Sequence, residues 1–327
     1  MTTTDLVASI GNGFTGTWRR LRNFDLGDSV AYSSTLLAGI GIFILVGVLL
    51  VELWLNSRLA RHEFGWNFLV TSVWDPIAQH FGALPFLYGT LVTALLALLI
   101  AIPLGLGTAI FLVELVPAWL SDWLAFIIDL LAAVPSVVYG LLGIFVLVPI
   151  IRSAVEPFLH STLGFLPIFQ GPGYGFGFLA AGVILGIMVV PFIVSVSREV
   201  LLAVPQEQRE AALSLGATQW EAASQVVVPY ARSGIFGSIF LALARALGET
   251  MAVTMVIGND PSIHTSLFAS GYSIAAVIAN EFAEATSTLY IHVLIELGLI
   301  LFGLTFVLNA LARLLILATV RRGTVHP

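Results

Sequence analysis

The sequence predicts an all-α integral membrane protein with about six transmembrane helices, and three observations carry that prediction. Of its 327 residues 58% are apolar and only 10% charged, whereas soluble proteins are about 25% charged. Charge-free stretches recur at lengths that suit a bilayer, which a helix crosses with about 20 apolar residues. The arginines also sort to alternate loops, as expected of a multi-pass chain. Composition excludes whole classes of function. All 13 basic residues are Arg and the net charge is −6, so nucleic acid is not an expected partner. Without Cys there is no disulfide framework, thiolate metal site or cysteine nucleophile. Without Lys there is no nucleotide-binding P-loop, so any ATP hydrolysis belongs to another chain.

The elements follow in order. Residues 1–32 precede the first span. Phe14, Trp18, Leu21 and Phe24 there interleave with Arg19, Arg20 and Arg22. They read either as an amphipathic helix at the cytoplasmic interface or as a tail that merely follows the charge rule. No cleaved signal peptide is expected, because the first apolar run starts far in and is long enough to span. Span one is placed at 33–54 and span two at 86–113, within a charge-free run from 76 to 113. Span three is placed at 123–150, with Asp129 as its single charge. The Gly- and Pro-rich residues 164–177 read as loop, so span four follows at 178–197. Span five, 233–257, contains Arg245 and Glu249, and span six, 289–317, contains Glu296 and Arg313. The transmembrane domain is thus 33–318, with a tail at 319–327. Nine arginines lie at the N-terminus, in the 198–232 loop and at the C-terminal end, against three (Arg58, Arg61, Arg152) on the other face. Both termini are therefore expected in the cytoplasm.

The 198–232 loop reads REVLLAVPQEQREAALSLGATQWEAASQVVVPYAR. A simple connection needs only a few residues; this one has helical pattern. Pro205 opens a first helix, and Gly216 stops it as a C-terminal cap. Thr218 and Glu221 have the spacing of a capping box for a second helix, and Pro229 precedes span five. A rigid helical protrusion of this kind suits docking into a groove on a cytoplasmic partner.

Glu210-Ala211-Ala212, three residues, Gly216, nine residues, then Val226-Val227-Val228-Pro229 resembles the EAA loop of ABC importer permeases. That pattern is E-A-A, three residues, Gly, nine residues, I-x-L-P; here Val226 and Val228 replace Ile and Leu. The resemblance implies a type I importer permease fold. It also implies that Glu210, Ala211, Ala212, Gly216 and Pro229 form a coupling helix seated in a cleft of an ATP-hydrolysing subunit. Three further stretches are similar to PstC-type permeases of bacterial phosphate importers: 81–115, FGALPFLYGTLVTALLALLIAIPLGLGTAIFLVEL; 244–259, ARALGETMAVTMVIGN; and 271–285, GYSIAAVIANEFAEA. The paired PstA-type permease shares Arg-x-x-Gly-Glu-Thr but continues differently. The resemblance, over roughly 70–318, implies inorganic phosphate as substrate and a bacterial inner-membrane location. The implied partners are a PstA-type permease, two ATPase copies and an extracytoplasmic phosphate-binding protein, with no cofactor and membrane lipid around the spans.

Read on their own, Arg245 falls at the middle of span five and Glu249 one turn further on the same face. An Arg at that depth costs about 2.5–3.5 kcal/mol on insertion scales, so it faces protein or a water-filled path. One reading is a structural ion pair, extended to Asp129 or Glu296. The other is an anion path. Guanidinium matches phosphate oxygens in a bidentate way. The carboxylate would balance the Arg in an empty path and accept a hydrogen bond from protonated phosphate, which sulfate cannot donate. Thr250 and Thr254 offer hydroxyls to the same path, or bond to their own helix backbone. Asn280, Glu281 and Glu284 read either as a solvated face or as a contact for a substrate-delivery protein. Gly105 and Gly107 near Pro103, with Pro135, Gly140 and Pro191, read as hinges or as packing contacts, and packing is preferred. The six His show no metal-ligand spacing.

Three rival readings remain. A permease for another oxyanion, such as sulfate, molybdate or phosphonate, shares the loop. A stand-alone secondary transporter or channel leaves the loop unexplained and predicts inverted repeats, which are not visible. An intramembrane protease lacks both a Gly-x-Ser-x-Gly elbow and a paired-Asp motif.

Overall fold

The computed structural model describes residues 26–323, with side-chain surroundings for 30–314. Residues 1–25, with the expected interfacial helix, and 324–327 lie outside the described residues. The chain divides into two units, up to Leu55 and from Asn56. Among the described residues the first holds one long apolar helix, α1 (Leu26–Asn56). The second holds α2 (Arg58–Phe64), α3 (Leu84–Leu115), α4 (Ala118–Ala132), α5 (Ser136–Leu163), α6 (Phe178–Leu202) and α7 (Gln206–Ser214). It continues with α8 (Gln219–Leu247), α9 (Met251–Thr254), α10 (Ile274–Glu281) and α11 (Thr288–Gly323). Among the described residues six helices, α1, α3, α5, α6, α8 and α11, are long and apolar enough to cross a bilayer.

Two spans lie elsewhere than expected. The stretch 123–150 is not one helix. It breaks at 133–135, between α4 and α5. Pro135 has no N–H to continue the helix, and it pushes Val134 out of the helical region. The crossing helix is α5, which carries Arg152 and Glu156 near its far end through two π turns. Asp129 falls on exposed α4 rather than within a span. Span five begins earlier and ends sooner than expected, at 219–247 rather than 233–257. Its helix runs unbroken from the capping box into the bundle. Pro229 therefore lies inside it, directly after a π turn at 223–227. The 198–232 loop contracts accordingly, since 198–202 belong to α6 and 219–232 to α8. The last helix reaches Gly323, so the expected 319–327 tail begins as helix.

The main core is the packing of α3 against α6. Ala94, Ala97, Ala101 and Gly105 recur on one face of α3, against Ile184, Leu185, Met188 and Ile193 of α6. Small residues let the backbones approach, which is how helices associate where lipid offers no hydrophobic drive. A Cβ on Gly182 would lie 2.3 Å from Leu96 Cδ2, and one on Gly105 2.7 Å from Ile193 Cγ2. Gly105 is thus a packing contact, as is Gly140 against Met255, whereas Gly107 has nothing within 4 Å.

A second cluster closes the end of the bundle opposite α7. Trp74 meets Phe86 edge-on at 4.6 Å, and Phe81 stacks on Tyr290 at 5.3 Å. Glu281 belongs to this cluster. Its Oε2 accepts from Trp74 Nε1 at 3.0 Å and from the Tyr290 hydroxyl. Asn280 Nδ2 donates to the Tyr272 hydroxyl at 3.0 Å. These two side chains tie α10 to its neighbours rather than forming a free solvated face.

Candidate functional site

The helical protrusion forms as the residue pattern requires. Pro205 precedes α7, and Gly216 takes φ +89° in the turn after it. Ala217 N–H donates to Ala212 O at 3.2 Å and Gly216 N–H to Leu213 O at 3.0 Å, the paired bonds of a Schellman cap. The left-handed backbone there favours glycine. Thr218 and Glu221 close the capping box: Glu221 N–H donates to Thr218 Oγ1 at 3.3 Å, and Thr218 N–H to Glu221 Oε2 at 2.8 Å. The motif residues divide between two faces. Ala212 is buried, while Glu210, Ala211 and Gly216 are exposed beside Leu213, Leu215 and Trp220. Leu215 is 90% exposed, so the protrusion presents an apolar tip that a partner would cover. Pro229 is exposed on α8.

Two arginines that sequence reasoning passed over fasten this end of the bundle, and one of them holds the protrusion in place. Arg209 Nε donates to Glu114 Oε1 at 3.1 Å, and its Nη1 and Nη2 donate to the carbonyls of Val204 at 2.6 Å and Leu201 at 2.8 Å. Arg198 similarly donates to Asp122 at 2.8 Å, fastening α4 to the end of α6. The sequence showed Arg209 only as one of the loop's positive charges, and Glu114 lies 95 residues away.

Arg245 lies in the last turn of α8. Its guanidinium is 5.8 Å from the ring centroid of Phe192, near the middle of α6, which sets it at mid-depth in the bundle. The helix ends at Leu247 with Gly248 as its cap. Glu249 therefore lies beyond the helix that carries Arg245. Its Oε1 instead accepts from Ala252 N–H at 3.3 Å, at the start of α9. Among the described residues no ion pair joins Arg245 to Glu249, Asp129 or Glu296. Arg245 is exposed on the chain's surface. Its position in the last turn offsets the partial negative charge of a helix C-terminus, which would otherwise repel an anion. The two threonine hydroxyls are committed to backbone: Thr250 Oγ1 to Gly248 O at 3.3 Å and Thr254 Oγ1 to Thr250 O at 2.7 Å. Glu296 is buried, and its Oε2 has no hydrogen-bond partner among the described residues.

At the opposite end from α7, residues 164–177 and 256–271 are laced together by backbone bonds such as Leu267 N–H to Ile168 O at 2.9 Å. A cleft of about 300 Å³ there is lined by Gln170, Tyr174, Asp260, His264, Ser266 and Ser270. Burial works against the Asp260 carboxylate, but hydrogen bonds from Ser262 and its pairing with His264 outweigh that and hold its pKa below the usual range. The cleft thus carries its own anion and is a poor seat for another.

Six spans, a capped helical protrusion and a lone cation at mid-depth define an inner-membrane component of a binding-protein-dependent transport system, and the family of that description matches residues 101–321. A chain of the inward-facing MetNI methionine ABC transporter has the same fold, with a TM-score of 0.53 at 16% identity over 76% of this chain and 99% of that one. The chain is 45% identical to the phosphate transport system permease protein PstC of Mesorhizobium japonicum, covering 91% of this chain and 92% of the relative. It is 48% identical to that of Xylella fastidiosa strain Temecula1, over 85% and 86%. A probable PstC of Methanocaldococcus jannaschii is 38% identical over 82% and 87%. The chain belongs to the PstC family of binding-protein-dependent inner-membrane permeases.

Proposed function

We propose that this chain is one permease subunit of an ATP-driven importer of inorganic phosphate, forming half of the translocation path. The observation that carries this reading is identity along nearly the whole chain to permeases named for phosphate transport. In this reading α7 is the coupling helix. Glu210, Ala211 and Gly216, with the apolar tip, meet a separate ATPase subunit present in two copies, while buried Ala212 seats α7 from within and Pro229 lies on the exposed side of α8 beyond it. A homologous PstA-type permease covers the face that carries Arg245. A phosphate-binding protein delivers substrate at the opposite end. The distribution of arginine supports a cytoplasmic position for α7 and both termini.

Arg245 is the anion contact best supported by its surroundings, being exposed, at mid-depth and, among the described residues, without a carboxylate pair. Glu249, Thr250 and Thr254 line the segment just beyond it. Deleting the chain is expected to abolish labelled phosphate uptake at micromolar concentration in cells without a second importer, and complementation should restore it. Excess sulfate should not compete. Uptake that survives deletion would remove phosphate as the substrate. Glu249→Gln keeps an acceptor for Ala252 N–H, so abundance should hold while the preference for phosphate over sulfate narrows. An unchanged preference would take the carboxylate out of the path.

A further inference from the structure

The Arg209 guanidinium joins three elements at one point. Glu114 lies in the π turn that ends α3, Leu201 is in the last turn of α6 and Val204 just beyond it, and Arg209 itself is in α7. Besides the Nε bond, Nη2 lies 3.1 Å from Glu114 Oε1. The Arg209 and Glu114 side chains are only 15% and 9% exposed, so the pair is held out of water, where such bonds are strongest. A helix end leaves its last carbonyls without helical partners, and here two carbonyls at the end of α6 receive guanidinium donors. Only a planar fork of five N–H groups reaches all three acceptors at once; an ammonium is a single point. Because α3 and α6 interlock along their lengths, fastening α7 to both ends fastens it to one body. The turn onward to α8 passes through Gly216, and Val227, Ala231 and Ile235 of α8 share one apolar cluster with Leu112 of α3 and Val194 and Leu201 of α6.

We infer that Arg209 is a positioning residue that makes α7 move with the α3–α6 pair. Force applied to α7 by a cytoplasmic ATPase is then delivered to α3 and α6. The inference rests on the reading of α7 as the coupling helix.

The test uses the whole importer in proteoliposomes, reading ATP hydrolysis and phosphate uptake in the same vesicles. Arg209→Ala should keep hydrolysis within about twofold of wild type while uptake per ATP falls about tenfold. Arg209→Lys and Glu114→Gln should fall between the two, because each keeps part of the network. A purely structural role would lower both readouts together with abundance. The chain has no Cys, so cysteines at Gln208 on α7 and Leu202 on α6 report their separation through spin labels, with other reactive cysteines in the complex removed. That distance should stay narrow with and without ATP in wild type and broaden in Arg209→Ala. Wild-type uptake per ATP in Arg209→Ala, or an unbroadened distance, overturns the inference. If Arg209→Ala does not accumulate, Arg209→Lys and Glu114→Gln carry both readouts, and wild-type values in both overturn it equally. If the wild-type complex imports no phosphate, the functional reading fails, and the distance measurement still decides the role of Arg209.

Discussion

Arg245→Ala should cut phosphate uptake about a hundredfold while leaving the chain's abundance in the assembled complex unchanged. The two halves of that expectation have different origins. Stability should barely change, because Arg245 is exposed and makes no ion pair among the described residues. Its contact with Phe192 at 5.8 Å is worth about 0.5–1 kcal/mol. Transport should change greatly, because a guanidinium at mid-depth is a charge-assisted donor for an anion deprived of bulk water. Losing about 3 kcal/mol of that interaction corresponds to about a hundredfold. Arg245→Lys should recover only part of the rate, since it keeps the charge but not the bidentate geometry. Labelled phosphate uptake, normalised to the amount of chain in the membrane, checks both variants. Wild-type uptake in Arg245→Ala would remove this residue from the path.

Gly89→Ala should prevent the chain from accumulating at all. A Cβ on Gly89 would lie 2.1 Å from the carbonyl oxygen of Tyr272 and 2.9 Å from its carbon. Both are backbone atoms, with no rotamer to escape into. The next residue fixes the same place. Thr90 Oγ1 accepts from Ile274 N–H at 3.0 Å and donates to Phe86 O at 2.7 Å, so α3 cannot slide without breaking the entry to α10. Overpacking at a backbone contact of this kind costs about 3 kcal/mol or more. Gly107→Ala, on the same helix with open space around it, should be stabilising by about 1 kcal/mol through helix propensity. Membrane abundance and thermal unfolding in detergent distinguish the two; equal behaviour would mean that α3 is not held at Gly89.

The number of spans and the form of the protrusion could be read from the residues because both depend on local chemistry. Apolar length sets the spans, and a Gly in a left-handed turn followed by a Thr–Glu box sets the protrusion. Where reading failed, a local signal had two solutions. Residues 118–132 and 136–163 are both apolar, and hydropathy alone does not tell a bend at Pro135 from a break. Span five was carried through Gly248 because one glycine costs a helix only about 1 kcal/mol. The helix ends at Leu247 instead, which takes Glu249 out of helical register with Arg245, and among the described residues no ion pair joins the two. The Arg209–Glu114 tie has no linear signal, since its partners come together only when α3, α6 and α7 have packed.

The exposure of Arg245 also bears on how the chain survives in the cell. On a solitary copy the guanidinium lies at bilayer depth without a counter-charge, a state that costs about 2.5–3.5 kcal/mol on insertion scales. Association with a second permease, as proposed above, would remove that penalty by burying the residue at an interface. On the proposed function the same cation would mark an orphaned subunit as incomplete, and the chain made without a companion is expected to be lost from the membrane faster than the paired one, which pulse-chase labelling would check.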